Sequence, residues 1–239
     1  MQTDSGRTPL KIELVGDSAV QVVLGDAPDE TTRRRIAAAA ERLRAAGLPE
    51  VLECVPGFTS ITIHYDPVEV TKRTSSVRWV ARSIHRLLGD LDESASEDGR
   101  VVEIPVCYGG ELGPDLEAVA ALHGIAADEV VRVHAAGEYR VHLVGFVPGF
   151  PYLGGLDPRL HTPRRETPRT AVPAGSVGIG GGQTGIYPVE SPGGWQLIGR
   201  TPLRLFDAHR DAPALLRAGD RVRFRAVDAM EFRALETGS

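Results

Sequence analysis

The chain has 239 residues, a formal net charge of −5, 42% hydrophobic residues and 25% charged ones. A chain of this length can bury a real core, in one large domain or two small ones, and the composition is ordinary for a soluble globular protein. The acidic balance argues against a general nucleic-acid binder, the lack of any run of about 18 apolar residues against a membrane span, and the polar start MQTDSGRTPLKIEL against a signal peptide. A cytoplasmic protein is expected. Its two cysteines, Cys54 and Cys107, lie far apart and form no CxxC motif, which fits that compartment.

Residues 10–24 predict two short strands, Lys11–Val15 and Ala19–Leu24, turned at Gly16-Asp17. From Asp29 to Ala46 acidic residues lead, arginine and alanine follow, and Gly47-Leu48-Pro49 stops the run, so a helix is expected. Val51–Val55 and Ser60–Tyr65 alternate with period two around Pro56-Gly57 and read as strands. Asp66-Pro67 reads as a turn. A helix from about Thr71 to Leu88 would then set Val77, Val80, Ile84, Leu87 and Leu88 on one side. The order β-β-α-β-β-α suggests a small α+β domain with helices on one face of an antiparallel sheet. Residues 89–100, GDLDESASEDGR, are acidic and nearly devoid of apolar side chains. They read as a linker, dividing an N-terminal domain at 1–96 from a second domain at 97–239.

The second domain opens with a strand at Val101–Cys107. Gly113-Pro114-Asp115 starts a short helix through His123, and Ala126–His134 forms another. From Tyr139 the pattern is β-rich, ending in the alternating strand Asp220–Ala226 with Val222 and Phe224 inward. Nine of the seventeen prolines fall between Pro148 and Pro202, and nine glycines between Gly175 and Gly199. No ordinary helix survives that punctuation, since proline removes an N–H and glycine costs about 1 kcal/mol per helical position. Yet Phe146, Phe150, Tyr152, Val177, Ile179, Tyr187 and Trp195 are spread through it, which a disordered linker would lack. A stiff, turn-rich barrel or sandwich of short strands is expected.

Several patterns in this half suggest chemistry. Gly180-x-Gly182-x-x-Gly185 matches a dinucleotide fingerprint, but Ile186-Tyr187-Pro188 cannot open the helix that fingerprint requires. Ala174-Gly-Ser176-Val-Gly178 resembles a nucleophile elbow without its helix, so a tight turn is the simpler reading. The seven histidines form no HExxH, HxH or Cys/His cluster, and no metal site is signalled. His142, among apolar residues, reads as a core histidine before a base. The basic residues are twenty-five arginines and two lysines, Lys11 and Lys72, so any anion held beyond residue 72 must use arginine or backbone N–H groups. Arg164, Arg165 and Arg169 in PRRETPR are either an exposed loop with local ion pairs or an anion clamp. Gln183 and Thr184 offer an amide and a hydroxyl where backbone can approach closely. Tyr152, Tyr187 and Trp195 are either core or a pocket and partner-binding face. There is no nucleophile–base pair, so the set resembles part of a site rather than a whole one.

The segments VGFVPGFPYLGGL, TPRRETPR, VPAGSVGIGGGQTGIYP and SPGGWQLIGRT, with IPVCYGGELGPDL upstream and LFDAHRDAPALLRAGDRVRF downstream, resemble a family nearly end to end. Its members are called the 5-oxoprolinase B subunit, allophanate hydrolase subunit 1 or the Kip inhibitor. The resemblance implies a small α+β domain followed by a cyclophilin-like β-barrel. It implies one component, inactive alone, of a complex with the 5-oxoprolinase A and C subunits that opens 5-oxo-L-proline to L-glutamate using ATP with Mg²⁺. Such chemistry needs donors on a transferring phosphoryl group. The expected substrate- or phosphate-binding residues are Arg164, Arg165, Ser176, Gln183, Thr184 and Tyr187. Two alternatives remain: a component of a urea carboxylase or allophanate hydrolase system, and an inhibitor that binds a sensor histidine kinase.

Overall fold

The computed structural model describes residues 10–27, 29–73, 78–89, 91 and 99–237, the side chains of Glu30, Arg73, Arg78 and Trp79 excepted. The chain divides into two compact units, Met1–Glu97 and Asp98–Ser239. Most of the acidic stretch read as a linker lies outside the described residues.

The first unit is an antiparallel sheet of β1 (Lys11–Val15), β2 (Ala19–Val23), β3 (Val51–Pro56) and β4 (Ser60–Tyr65), in the order β1-β2-β4-β3. Val20 pairs with Ile63 and Val22 with Ile61, so the period of two sends all four to one buried face. Helix α1 (Glu30–Ala46) covers that face with Ile36, Ala39 and Leu43. Asp29 caps it by accepting from the Thr32 N–H at 2.8 Å, and Gly47 ends it at φ 52°. Asp66-Pro67, expected to be a turn, instead opens helix α2 (Pro67–Arg73). The Asp66 carboxylate accepts from the Val68 N–H at 2.8 Å, and proline occupies the first helical position, where its missing N–H costs nothing. Helix α3 (Arg78–Leu88) buries Val80, Ile84 and Leu88 as its periodicity requires. The expected placement of Val77 lies outside the described residues.

The second unit is built on β5 (Val101–Tyr108), β6 (Tyr139–Val144), β7 (Pro151–Gly154), β9 (Ser176–Gly180), β10 (Gln183–Ile186), β12 (Gln196–Arg200) and β13 (Arg221–Ala226). These seven close into a barrel in the order β10-β7-β6-β13-β5-β12-β9. The expected combination of a small α+β unit and a barrel is therefore what the chain forms. β5 and β13 run parallel and the other neighbours antiparallel. Helices α4 (Leu116–His123) and α5 (Ala127–Ala136) connect β5 to β6, and β8 (Arg169–Val172) pairs with β11 (Ser191–Gly193) outside the barrel. Helix α6 (Ala229–Thr237), not among the elements expected from sequence, follows the last strand and is capped by Asp228, whose carboxylate accepts from the Met230 and Glu231 N–H groups at 2.9 and 2.8 Å. Val222 and Phe224 point inward as expected.

The glycines obey the sheet's alternation. Along β9, Val177 and Ile179 enter the main core while Gly178 and Gly180 face out. Across the hairpin, Thr184 and Ile186 enter while Gln183 and Gly185 face out. Trp195 lies on that outer face. A Cβ added at Gly178, Gly180 or Gly185 would stand 3.1, 2.6 or 3.0 Å from Trp195. Two of the GxGxxG glycines, Gly180 and Gly185, join Gly178 as a platform for an indole, while Gly182 faces His161 and Gly181 turns the hairpin at φ 65°. Trp195, Phe150, Val172, Tyr187 and Leu197 form a second small core there, distinct from the one inside the barrel.

Gly180→Ala is expected to lower stability by about 1–3 kcal/mol, because the indole must move to admit the methyl group. Urea unfolding measures this. Unchanged stability would mean that Trp195 does not rest on Gly180.

Candidate functional site

The loop between Thr162 and Arg169 crosses this aromatic cluster and is fastened on both sides. The Arg165 N–H donates to the Gly194 carbonyl at 2.7 Å, and the Gln196 side-chain amide donates to the Pro163 carbonyl at 3.0 Å. Thr162 and Gly181 exchange backbone hydrogen bonds. The deepest anchor is Asp115. Expected only to open α4, its carboxylate makes no capping bond to that helix. Instead it is 6% exposed and accepts from Arg169 Nη2 at 2.8 Å, Arg165 Nη1 at 3.3 Å and the Leu197 N–H at 2.6 Å. A buried carboxylate needs such partners, and two guanidinium groups with one backbone donor supply them.

Arg164 is treated differently. Its guanidinium carbon sits 5.7 Å from the Trp195 ring centroid, a cation–π distance. No ion pair joins it to a carboxylate among the described residues. Tyr152 is half-buried and packs edge-on against Phe150 and Trp195. Burial pushes the Tyr152 and Tyr187 phenols up, and the Arg164 charge pulls both back. Gln183 rises from the outer face of β10, the face that carries Trp195. Phe146 lies near the aromatic cluster, 61% exposed, edge-on to Phe150 and at φ 71°. A bulky residue with positive φ is a strained conformation of the kind held at functional loops.

The eight residues singled out from sequence therefore separate. Arg164, Arg165, Tyr152 and Gln183 reach the surface around Trp195, which is itself 5% exposed. Ser176 and Tyr187 are buried and joined through backbone, the Tyr187 N–H donating to the Ser176 carbonyl at 2.9 Å. A strand, not a helix, follows Ser176. Thr184 is fully buried inside the barrel, where its hydroxyl donates to the Gly178 carbonyl at 2.9 Å. That donation uses its only hydrogen, so Thr184 Oγ1 must accept from His134 Nε2, 3.0 Å away. His134 Nδ1 is then unprotonated and accepts from the Tyr108 hydroxyl at 2.8 Å. The core histidine of this chain is thus His134. His142, expected to be one, is half-exposed on β6 and lies against Gly154. A separate open cleft of about 420 Å³ is lined by Gly175, Glu190, Arg200, Leu203, Phe206 and Glu236, and includes none of the eight.

With this geometry in view, comparison with known proteins defines the class first. Residues 10–216 match the carboxyltransferase domain, subdomain C and D. This is a carboxyltransferase-type domain protein, a small α+β unit followed by a barrel with an arginine loop over an outer aromatic cluster. More narrowly, the chain belongs to the family of the 5-oxoprolinase B subunit. It is 45% identical to the 5-oxoprolinase B subunit of Bacillus subtilis (strain 168) over 96% of this chain and 98% of that protein. To the protein of the same name from Escherichia coli O157:H7 it is 47% identical, over 88% and 93%. Among solved structures, TTHA0988 superposes with a TM-score of 0.75 at 42% identity, over 88% of this chain and 40% of that one. The chain spans about two fifths of that longer protein.

Two outcomes follow from the buried groups. Asp115→Ala strands Arg169 and the Leu197 N–H, and is expected to cost about 2–4 kcal/mol, the lower end reflecting the half-exposed Arg165. Chemical denaturation reads the loss, and a cost near zero would contradict the anchoring role. Burial lowers the His134 pKa from 6.5 to about 3. The neutral histidine's contribution is fully present above pH 6.5. It is lost as pH falls toward 3, at about 1.4 kcal/mol per unit, because the unfolded chain takes up the proton first. Stability of wild type minus His134→Gln should therefore fall over that window, and a flat difference would refute the assignment.

Proposed function

We propose that this chain is the B-type component of an ATP-dependent 5-oxoprolinase complex that hydrolyses 5-oxo-L-proline to L-glutamate, with the A and C subunits as partners. The observation that supports this most directly is the near-full-length identity of 44–47% to proteins named as the B subunit of 5-oxoprolinase. The site supports it chemically. A five-membered lactam is an unactivated amide: phosphorylation of its carbonyl oxygen by ATP, with release of ADP, opens the carbon to water, collapse of the adduct breaks the ring C–N bond, and a second water releases phosphate from the acyl phosphate to leave L-glutamate. The protein's task in such a step is positioning and charge stabilisation rather than covalent chemistry. A pinned loop with one unpaired guanidinium, a side-chain amide at Gln183 and an aromatic face suits positioning.

The groups for the whole step are not gathered on this chain. Among the described residues no cluster of three or more His, Cys, Asp or Glu could hold a metal ion. Two of the loop's three arginines share the single Asp115 carboxylate. Arg164, Tyr152 and Gln183 form the ligand-facing part of the proposed site, with Arg165 as its support. Ser176, Thr184 and Tyr187 hold that surface from beneath.

Reconstitution tests the proposal. The three-component mixture should release ADP and L-glutamate when given 5-oxo-L-proline, and omission of this chain should abolish release. Gln183→Ala should lower the rate by about tenfold or more. Full turnover without this chain, or turnover of urea but not of 5-oxo-L-proline, would refute the assignment.

A further inference from the structure

The open cleft that is separate from the Trp195 cluster carries donors and acceptors that the rest of the chain does not use. Its volume of about 420 Å³ falls within the range of about 300–1,000 Å³ usual for small-molecule sites. Five stretches build it: the 174–175 turn, residues 188–190, residues 200–204, Phe206 and Glu236 of α6. Backbone bonds tie three of them together. The Gly175 N–H donates to the Tyr187 carbonyl at 2.7 Å, and the Thr201 N–H donates to the Gly175 carbonyl at 2.9 Å.

Two side chains of the lining are donors without an acceptor. Arg200 is half-buried, and its Nε–H donates to the Ala174 carbonyl at 2.7 Å, which anchors the guanidinium. Its terminal N–H groups have no partner among the described residues. Thr201 is 3% exposed. Its hydroxyl oxygen accepts from the Leu203 N–H at 3.3 Å, and its own hydrogen has no acceptor among the described residues. An anchored guanidinium and an adjacent hydroxyl with unused donors are groups that hold a carboxylate. Arg204, the other cation of the lining, is exposed and faces Asp207 at 3.3 Å. The lining also carries Glu190 and Glu236, both exposed and without an ion-pair partner among the described residues. Its two arginines and two glutamates sum to a formal charge of zero. The glutamates disfavour a ligand with several negative charges and favour one that brings an ammonium. Val189, Leu203 and Phe206 add apolar surface.

From this we infer that the cleft binds an α-amino acid with an apolar side chain. The ligand carboxylate meets Arg200 and Thr201, the ammonium meets Glu190 and Glu236, and the side chain rests against Leu203 and Phe206. A ligand with only one of the two charges leaves part of the lining unmatched. None of the residues around Trp195 lines the cleft, so this site is additional to the one proposed for hydrolysis. 5-Oxo-L-proline does not suit it, because a lactam nitrogen carries no positive charge. The inference is independent of which reaction the complex performs.

L-leucine is the probe, titrated into the full chain and followed by NMR. Amide shifts around residues 200–206 should saturate with a Kd of about 1 mM or tighter. N-acetyl-L-leucine lacks the ammonium and L-leucinamide lacks the carboxylate, and each should bind about tenfold more weakly or worse. 5-Oxo-L-proline should leave these amides unmoved. Arg200→Gln should weaken L-leucine binding by about 10- to 100-fold. Because Arg200 also holds the Ala174 carbonyl, the double variant Glu190→Gln, Glu236→Gln provides a second reading at exposed positions. It should weaken L-leucine by about tenfold and leave N-acetyl-L-leucine within about twofold. No saturable response to L-leucine, equal binding of L-leucine and either derivative, unchanged L-leucine binding in the double variant, or a response to 5-oxo-L-proline at the cleft would each overturn the inference.

Discussion

A carboxylate taken out of water must be matched by donors, and at Asp115 the donors come from two other parts of the second unit. Arg165 and Arg169 belong to the proline-stiffened loop, the Leu197 N–H to β12, and Asp115 itself precedes α4. One buried charge therefore ties a surface loop, a barrel strand and a helix together. It also decides which arginine stays available. Of the three in PRRETPR, the two on the carboxylate are structural, and the third is left to the indole of Trp195.

The indole has its place because the strand positions directly beneath it are glycines. Gly178, Gly180 and Gly185 let a large ring lie against backbone, and Tyr187, Phe150 and Leu197 close around it. Each is a residue that a mid-strand position would ordinarily disfavour, since glycine weakens a strand. The cost is offset by an aromatic cluster on the outside of a small barrel, where a single layer of side chains could not otherwise bury a tryptophan. Gly193 extends the same logic: a Cβ there would stand 2.3 Å from the Tyr187 hydroxyl. The density of glycine in this half is thus in part a packing requirement, and Tyr152, Arg164, Arg165 and Gln183 reach the surface around the cluster.

Much of this is legible in the sequence, and the parts that are not have identifiable causes. Strand positions and α1 follow from period and caps, because those signals are local. Helix α2 escapes a sequence reading because Asp66-Pro67 has the same composition as a turn, and only the Val68 N–H bond to Asp66 distinguishes a helix start. A strand, not the helix of a dinucleotide fingerprint, follows Gly182, and the use of Gly180 and Gly185 as an indole platform requires knowing that Trp195 folds back over residues earlier in the chain. Asp115 has the look of a local helix signal. Its real partners lie 50, 54 and 82 residues away, and no local pattern announces them. His142 is not the core histidine its sequence neighbours suggest, because apolar neighbours in sequence are not neighbours across a sheet. His142 alternates outward, whereas His134, on a helix, turns into the barrel.

The same accounting bears on why such a chain would work within a complex. A buried carboxylate that holds two of the loop's arginines leaves fewer donors for the charge that accumulates when a phosphoryl group is transferred. Catalysis of that transfer requires several cations aimed at the reacting oxygens in a site closed to water. Freeing Arg165 and Arg169 for the purpose would leave the Asp115 carboxylate buried and unpaired, a penalty of about 3–5 kcal/mol that a single ligand contact does not recover. Holding that loop rigid occupies two arginines that could otherwise meet a ligand.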